Sequence, residues 1–212
     1  MEGTPLGTLA GLWRYPTKAL RGEALESAEV THAGIAGDRA RALFVRDADH
    51  PRAQKTYRGK EDRRLHLGSD PLAFAARSAD EGLALTLESE GPYFDDEPLS
   101  LVLDCWLREL ERLCGLSLDR LRFRPNLFVH TLAEVGDEPE LIGARVTARE
   151  VVLRIVAPIR RCVTITYDQN DGTPAPAILE AVARDRENVL GVYAHVEVPG
   201  RLTRGERLSL VR

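Results

Sequence analysis

Cysteine is scarce in this chain of 212 residues, which carries it only at Cys105, Cys114 and Cys162. The three are odd in number and include no C-x-x-C pair, so the sequence offers neither a disulfide framework nor a recognisable zinc motif. Free thiols are typical of proteins kept in a reducing compartment, and we predict a cytoplasmic location. In that setting a single thiol can serve as a nucleophile or as a soft metal ligand.

Long apolar runs are also missing. No stretch approaches the roughly 20 apolar residues that cross a bilayer, so we predict no membrane association. The N-terminus lacks a charged region followed by an apolar segment, and we expect no signal peptide. The net charge is only -4 and the pI is about 5.8, which argues against a general nucleic-acid binder. The 29 Lys and Arg residues can still form a local basic pocket.

Several familiar catalytic motifs are absent. The chain contains no G-x-G-x-x-G, no G-x-x-x-x-G-K-[ST], no H-E-x-x-H and no G-x-S-x-G. The segment DQNDG resembles the start of a calcium loop, but its glycine stands fifth rather than sixth and position twelve is Leu179. We interpret this segment as a turn and not as a metal site.

Short segments of alternating apolar and polar residues, separated by Gly, Pro and Asp, dominate what is present. This pattern predicts an α+β protein that is mainly β, with a β-barrel core and a few peripheral helices. We expect one unit over residues 1–212, with a β-rich N-terminal part (1–95) and a barrel core with helices (96–212). Strands are predicted after the longest helix in LRFRPNLFV, LIGARVTA, EVVLRIV, CVTITYD, VYAHVEV and ERLSLVR.

Three helices are predicted from apolar periodicity and from their end signals. The first follows Asp70, with Pro71 at its first position and Gly82 after its end. The longest covers residues 97–118, where apolar residues recur at three- and four-residue steps and Gly115 provides a C-cap. A third is expected in APAILEAVARDREN. Cys105 and Cys114 fall in the longest helix, where we interpret them as small core residues.

Cys162 is the sharpest candidate for chemistry. Arg160 and Arg161 precede it, and fixed positive charges favour the thiolate, which attacks electrophiles and binds soft metals. Because neighbours on a strand point to opposite faces, at most one of these arginines shares its face. The alternative is a buried cysteine at a strand start. The five histidines are scattered, so spacing supports no Cys-His pair.

Basic residues after turns form a second set of candidates, for anion binding. In RFRPN, alternation would place Arg124 and Asn126 on one side, where a guanidinium and an amide suit a phosphate or a heterocycle edge. The alternative is a solvated strand end. Lys18 and Arg21 follow a Pro turn, and Arg39 follows a tight turn in which Asp38 can orient it. The basic segment around residues 51–70 is predicted to be an exposed loop.

Five segments in order, YPTKALRGE, GIAGDRARALFV, RFRPNLFV, IRRCVTITYD and GVYAHVEVPGRLTRGERLSL, resemble the MOSC family, the molybdenum cofactor sulfurase C-terminal domains. The match extends over nearly the whole chain, including the N-terminal part. The resemblance implies a molybdenum cofactor (molybdopterin), with Cys162 as the catalytic residue and the protein ligand of the metal. It also associates the family with pyridoxal phosphate binding.

The same resemblance assigns the basic residues of the cofactor pocket. It implies that the anionic cofactor is held by Lys18, Arg39, Arg124, Asn126, Arg160 and Arg161. Two departures affect this pocket. Ala19 stands where serine is common, and LVLDCW replaces a segment that usually carries small hydroxyl residues. Lys55 and Arg58 are candidates to compensate.

The function that the resemblance implies is a molybdenum-cofactor-dependent oxidoreductase that reduces small N-hydroxylated compounds, as the amidoxime-reducing component does. No region remains for an iron–sulfur or flavin domain, so we expect a separate electron-donor protein. Two alternatives stay open. One is a sulfur carrier with a persulfide on Cys162, and the other is a non-catalytic barrel that binds a pterin or another anion.

Overall fold

The computed structural model describes residues 3–132 and 135–212. In these residues the strands are β1 (Thr4–Arg14), β2 (Glu23–Ala24), β3 (Ser27–Thr31), β4 (Gly34–Ile35), β5 (Ala42–Val45), β6 (Leu85–Glu88), β7 (Leu99–Leu103), β8 (Leu127–Thr131), β9 (Arg145–Ala148), β10 (Val151–Arg160), β11 (Val189–Val198), β12 (Gly200–Thr203) and β13 (Arg207–Val211). The helices are α1 (Pro71–Asp80), α2 (Asp104–Cys114) and α3 (Pro176–Asp185). The predicted class, α+β and mainly β, is confirmed.

Seven strands close into a barrel in the order β1, β13, β9, β10, β11, β7 and β8, with β8 returning to β1. The β7–β8 pair is parallel and the other pairs of this ring are antiparallel. Alternate side chains fill the barrel, among them Leu9, Leu101, Val129, Leu153 and Val192. Strand β1, which belongs to the predicted N-terminal part (1–95), is one of the barrel strands. The predicted division between residues 95 and 96 therefore does not coincide with a boundary between two sheets.

The longest helix is shorter than the sequence predicts. Residues Leu99–Leu103, predicted as its first turns, form strand β7, and all five are buried. From periodicity alone, a short apolar run that is buried on both faces is equally compatible with a strand and a helix. Here the run forms a strand because it pairs with β11 and β8 to close the barrel. The helix begins at Asp104 and ends before Gly115, whose φ of 69° confirms the predicted C-cap.

Helices α2 and α3 cover the outside of the barrel. Leu110 of α2 and Ile178 of α3 pack with Val102, Phe128 and Leu190 in a second apolar cluster. Fully burying a side chain of this size contributes about 1.5–3 kcal/mol, so this layer is a substantial part of the stability. Within the described residues no helix is long and apolar enough to span a bilayer.

A third apolar cluster lies under α1 and the antiparallel pair of strands β5 and β6. It contains Leu43, Tyr57, Leu65 and Phe74. Helix α1 begins at Pro71 as predicted, because the Asp70 carboxylate accepts hydrogen bonds from the backbone N–H groups of the first turn. The segment between β5 and α1, predicted to be an exposed loop, is anchored by the buried side chains of Tyr57, Leu65 and His66. It forms one wall of the cleft described below.

Two segments predicted as strands are 3₁₀ turns instead. Arg120–Phe123 forms one, and Val163–Thr166 forms the other. In the second, the Thr166 hydroxyl donates to the Val163 carbonyl at 2.7 Å, a local bond that competes with strand pairing. Pro125 cannot donate a ladder hydrogen bond, and strand β8 starts only at Leu127. Both turns lie at one end of the barrel, where they shape the cleft.

Candidate functional site

A cleft of about 260 Å³ opens at this end of the barrel. Its walls come from seven separate parts of the chain: the turn after β1, the turn after β4, the loop before α1, the segment before β7, the 3₁₀ turn before β8, the end of β10 with its following turn, and β11. The residues that line it are Lys18, Ala19, Arg39, Arg58, Gly59, Lys60, His66, Asp95, Asp96, Arg122, Arg124, Arg160, Cys162, Thr164, Tyr167, Gln169 and Tyr193.

Cys162 is exposed in this cleft and is not buried at a strand start. Its backbone is extended (φ -133°, ψ 179°), and its Sγ lies 3.2 Å from the Thr164 Oγ1. Extended backbone places Arg160 and Cys162 on one side and Arg161 on the other. Arg160 accordingly lines the cleft beside the thiol.

Arg161 points into the protein. Its Nε donates to the Leu190 carbonyl at 2.6 Å and its Nη1 donates to the Phe123 carbonyl at 2.9 Å. Burial lowers the pKa of this guanidinium to about 10. These two bonds link the turn before β8 to β11 through the Arg161 side chain. Arg161 does not line the cleft, so it is not placed for the contact with a cofactor that the resemblance implies.

Arg39 and Arg124 meet over one aromatic ring. Their guanidinium carbons lie 4.7 Å and 4.2 Å from the centre of the Tyr15 ring. The Tyr15 hydroxyl donates to the Pro125 carbonyl, which ties β1 to the turn that carries Arg124. As predicted, Asp38 orients Arg39: its two carboxylate oxygens accept from the Tyr15 N–H and from the Arg39 Nη1. Cation–π contacts of this kind add about 0.5–2 kcal/mol each.

Arg124 is a cation of the site whose charged form is disfavoured by burial. Burial and the neighbouring Arg39 lower its pKa to about 10, although Tyr15 and Asp38 act in the opposite direction. Among the described residues, its buried Nη2 has no hydrogen-bond partner. Leaving a buried donor of a charged group unpaired is costly, so this atom is suited to an anionic ligand.

Asn126 supports the site from behind and does not line it. The side chain is fully buried, and its Oδ1 accepts from Arg39 Nη1 at 3.0 Å and from the Ser100 N–H and hydroxyl. Its Nδ2 donates to the Trp13 carbonyl. The alternation expected for Arg124 and Asn126 fails because Arg124 has a left-handed backbone, with φ 50°. Asn126 therefore positions Arg39.

Three residues of the lining share this left-handed conformation: Ala19 at φ 67°, Arg39 at φ 47° and Arg124 at φ 50°. For a residue with a Cβ, this conformation costs about 1–2 kcal/mol. Strain of this kind persists where the surrounding contacts over-determine the backbone, and it is concentrated at functional sites. Here it turns Arg39 and Arg124 toward the cleft.

Lys18 lies deep in the cleft and pairs with a carboxylate. Its Nζ is 2.7 Å from Asp95 Oδ1, and the lysine side chain is 13% exposed. Desolvation acts to raise the pKa of Asp95, but Lys18, followed by Arg39 and Arg124, lowers it below its ordinary value. The lining as a whole carries seven Lys and Arg residues against two Asp, in a chain whose net charge is -4. The cleft thus concentrates positive charge for an anionic ligand.

His66 and Tyr167 belong to the cleft although no sequence spacing indicated them. Their rings stack at 6.2 Å with an angle of 12°. The His66 Nε2 lies 2.6 Å from the Asp168 carbonyl oxygen, which can only accept, so Nε2 carries the proton. Burial, with positive charge from Arg124, lowers the pKa of His66, and the neutral ring keeps Nδ1 as a proton acceptor.

Tyr193 adds a hydroxyl to the wall formed by β11. Burial, with help from the negative charge of Asp96, raises its pKa to about 12. Its O–H is therefore a hydrogen-bond donor at neutral pH. No spacing in the sequence marks Tyr193 or His66 as a site residue. Only closure of the barrel brings them into the same cleft as Cys162.

The other predicted candidates lie elsewhere. Arg21 donates to the Gln169 carbonyl at 2.7 Å and does not line the cleft, and neither does Lys55. Arg58 does line it, fixed by Glu61. Cys105 and Cys114 are half-buried and pack against the two large apolar clusters, which agrees with the core interpretation.

No group of three His, Cys, Asp or Glu side chains within residues 3–132 and 135–212 is arranged to hold a metal ion. A metal at Cys162 would need most of its ligands from a bound organic group. The arrangement can therefore provide one thiol ligand, a set of cations for an anionic group, and hydroxyl and imidazole groups for proton transfer.

Solved structures show the same fold at low sequence identity. The YuaD protein from Bacillus subtilis superposes with a TM-score of 0.58 at 16% identity, covering 96% of this chain and 94% of that chain. A crystal structure described as a hypothetical protein has a TM-score of 0.50 at 14% identity, covering 98% of this chain and 70% of its own. YiiM from Escherichia coli gives 0.44 at 15% identity, over 94% of this chain and 70% of that chain, which is too low to support an argument.

Comparison with curated proteins gives no match. The sequence model of the MOSC domain, in contrast, matches residues 62–209, more than two thirds of the chain. The matched region contains the turn that carries Arg124, strand β10, Cys162 and strand β11. The chain therefore belongs to the MOSC domain family.

Proposed function

We propose that this protein is a molybdenum-cofactor-dependent oxidoreductase that reduces N-hydroxylated compounds with electrons from a separate protein. The observation that carries the proposal is that the exposed Cys162 thiol and the unpartnered, buried Nη2 of Arg124 belong to one cationic cleft. Membership of the MOSC family supports a molybdenum cofactor as the ligand. The association with pyridoxal phosphate stays a prediction.

The residues present fit such a cofactor. A thiolate is a soft ligand of the kind that transition metals accept, and Cys162 is open to a ligand in the cleft. The cofactor carries a phosphate, for which Arg124 Nη2, Lys18 and Arg39 offer charge-assisted hydrogen bonds. When bound, the cofactor would supply the two-electron redox chemistry.

The rest of the chemistry falls to side chains of this chain. Reduction of an N-hydroxyl compound breaks the N–O bond, forms an N–H bond and releases water, and it consumes two electrons and two protons. Tyr193 remains protonated at neutral pH and can hydrogen-bond the departing oxygen. His66 Nδ1 can accept a proton from solvent and pass it into the cleft.

The first experiment is metal analysis of protein purified from a host that makes the cofactor, combined with fluorescence of the oxidised pterin. Wild-type protein is expected to hold about one molybdenum and one pterin per chain, and Cys162→Ala is expected to lose reduction of a simple amidoxime. The matched control is Cys114→Ala, a thiol outside the cleft. An active Cys162→Ala variant with full molybdenum would refute the ligand role.

A second function is favoured by one observation, the exposure of the Cys162 Sγ beside the Thr164 hydroxyl. A sulfur carrier needs an accessible thiol of this kind to hold a persulfide, and the cationic surroundings stabilise its anion. Sulfane sulfur that is released by a mild reductant from metal-free protein, and that is absent from Cys162→Ala, would support this function over the first.

A further inference from the structure

The cations of the cleft fall into two groups by depth. Lys18, Arg39 and Arg122 have side chains that are 13%, 16% and 9% exposed, and each contacts a carboxylate. Arg124 lies among them with its unpartnered Nη2. We call these four residues the deep cations. Under the proposed function they hold the anionic cofactor.

The second group, the mouth cations, consists of Arg58, Lys60 and Arg160. Lys60 and Arg160 are exposed, and neither has an ion-pair or hydrogen-bond partner for its side chain among the residues that the structure describes. Arg58 is held in place by Glu61, whose carboxylate accepts hydrogen bonds from the Arg58 guanidinium. Arg160 stands two residues before Cys162, and Arg58 and Lys60 line the same cleft as the thiol. The mouth cations therefore lie at the approach to the thiol.

We propose that Lys60 and Arg160 bind an anionic group of the substrate, so that the preferred substrates are N-hydroxylated compounds that also carry a carboxylate or a phosphate. This inference rests on the proposed function and names its substrate class. Under the proposed function the deep cations hold the anion of the cofactor. Lys60 and Arg160, the two unpaired cations at the entrance, remain to bind an anion of the substrate. A point charge and a planar guanidinium on the same approach suit an oxyanion.

The rest of the lining is consistent with this orientation. Asp96 is exposed and, within the described part of the chain, has no ion-pair partner. It lies close enough to Tyr193 to raise the pKa of that phenol. A substrate whose N–H groups face Asp96 and Tyr193, and whose anion faces Lys60 and Arg160, matches the charges on both sides of the cleft.

The test compares two substrates on the molybdenum-loaded protein: benzamidoxime and its 4-carboxy derivative. The carboxylate is expected to lower KM roughly tenfold, a gain typical of one or two partly exposed charge-assisted hydrogen bonds. The advantage should shrink as ionic strength rises. In Lys60→Gln and Arg160→Gln, the ratio of the two KM values should fall toward one. Molybdenum content is measured for each variant, because loss of metal would place the residue with the cofactor.

Binding is measured separately by titrating 4-carbamoylbenzoate and benzamide, which lack the N–O bond. Wild-type protein should bind the carboxylate more tightly, and Lys60→Gln should abolish the difference. Arg149→Gln is the control, since Arg149 has a side chain 79% exposed and lies outside the cleft. Equal KM values and equal binding for the charged and neutral compounds would overturn this inference alone. Lys60-dependent binding without reduction of either amidoxime would refute the proposed function and leave the anion site standing.

Discussion

Arg39 and Asn126, 87 positions apart in the chain, are joined by a hydrogen bond of 3.0 Å from Arg39 Nη1 to Asn126 Oδ1. The bond links the turn after β4 to the residue before β8. It also fixes the direction of a guanidinium in the cleft. The two residues thus have different positions: Arg39 lines the cleft, and Asn126 holds Arg39 from behind.

Removing the Asn126 amide should destabilise the protein. Asn126→Ala leaves the Ser100 N–H and the Trp13 carbonyl without a partner in the interior and releases Arg39. Each buried group left unsatisfied costs about 1–3 kcal/mol, so we expect a loss of about 3 kcal/mol in the free energy of unfolding. Urea denaturation of the metal-free protein measures it, with Asn170→Ala on the exposed turn as the control. A change below about 1 kcal/mol would contradict the positioning role.

Removing the Arg124 charge should affect binding far more than folding. Arg124→Gln loses a cation–π contact with Tyr15 but also removes a guanidinium that burial disfavours. These effects oppose each other, so we expect the metal-free protein to unfold within about 1 kcal/mol of wild type. Added phosphate is expected to raise the Tm of the metal-free wild-type protein, and this rise should disappear in Arg124→Gln. The control variant Arg149→Gln should show the same rise in Tm as wild type.

His66 should make stability depend on pH. Its pKa in the folded protein lies below the ordinary value of 6.5, chiefly because the ring is buried. Between these two values the unfolded chain binds the proton more readily, so stability falls as pH decreases below about 7. His66→Gln cannot titrate and should lose less stability between pH 7.5 and pH 5. The measurement is the free energy of unfolding of wild type and His66→Gln against pH. If the two curves were parallel, His66 would not be the source of the pH dependence.

Ala19 allows a matched pair of substitutions. The residue lines the cleft next to Lys18 and has a left-handed backbone with φ 67°. Ala19→Gly should relieve strain and stabilise the protein by up to about 1 kcal/mol without changing phosphate affinity. Ala19→Ser should instead tighten phosphate binding several-fold, because it adds a hydroxyl donor to the cleft next to Lys18. Calorimetric titration separates the two, and equal affinity in both variants would argue against a contact at residue 19.

Element types were predictable wherever the local pattern was unambiguous. Asp70 with Pro71 marked the start of α1, and Gly115 marked the end of α2. The sequence predicts a helix for Leu99–Leu103, because a strand buried on both faces lacks the alternation that identifies half-buried strands. It predicts a strand for Val163–Thr166, because the β-branched residues there have strand propensity. In both cases tertiary contacts overrode the local signal.

The sequence by itself determined the mainly β class with a barrel core, and the family. Strand alternation even separated Arg160, which lines the cleft, from Arg161, which binds interior carbonyls. Only the tertiary structure decided which cations meet around Cys162 and which amide stands behind them. The reason is physical: the left-handed backbone at Arg124 reverses the direction that alternation predicts, and closure of β1 on β8 and β13 joins segments far apart in the chain.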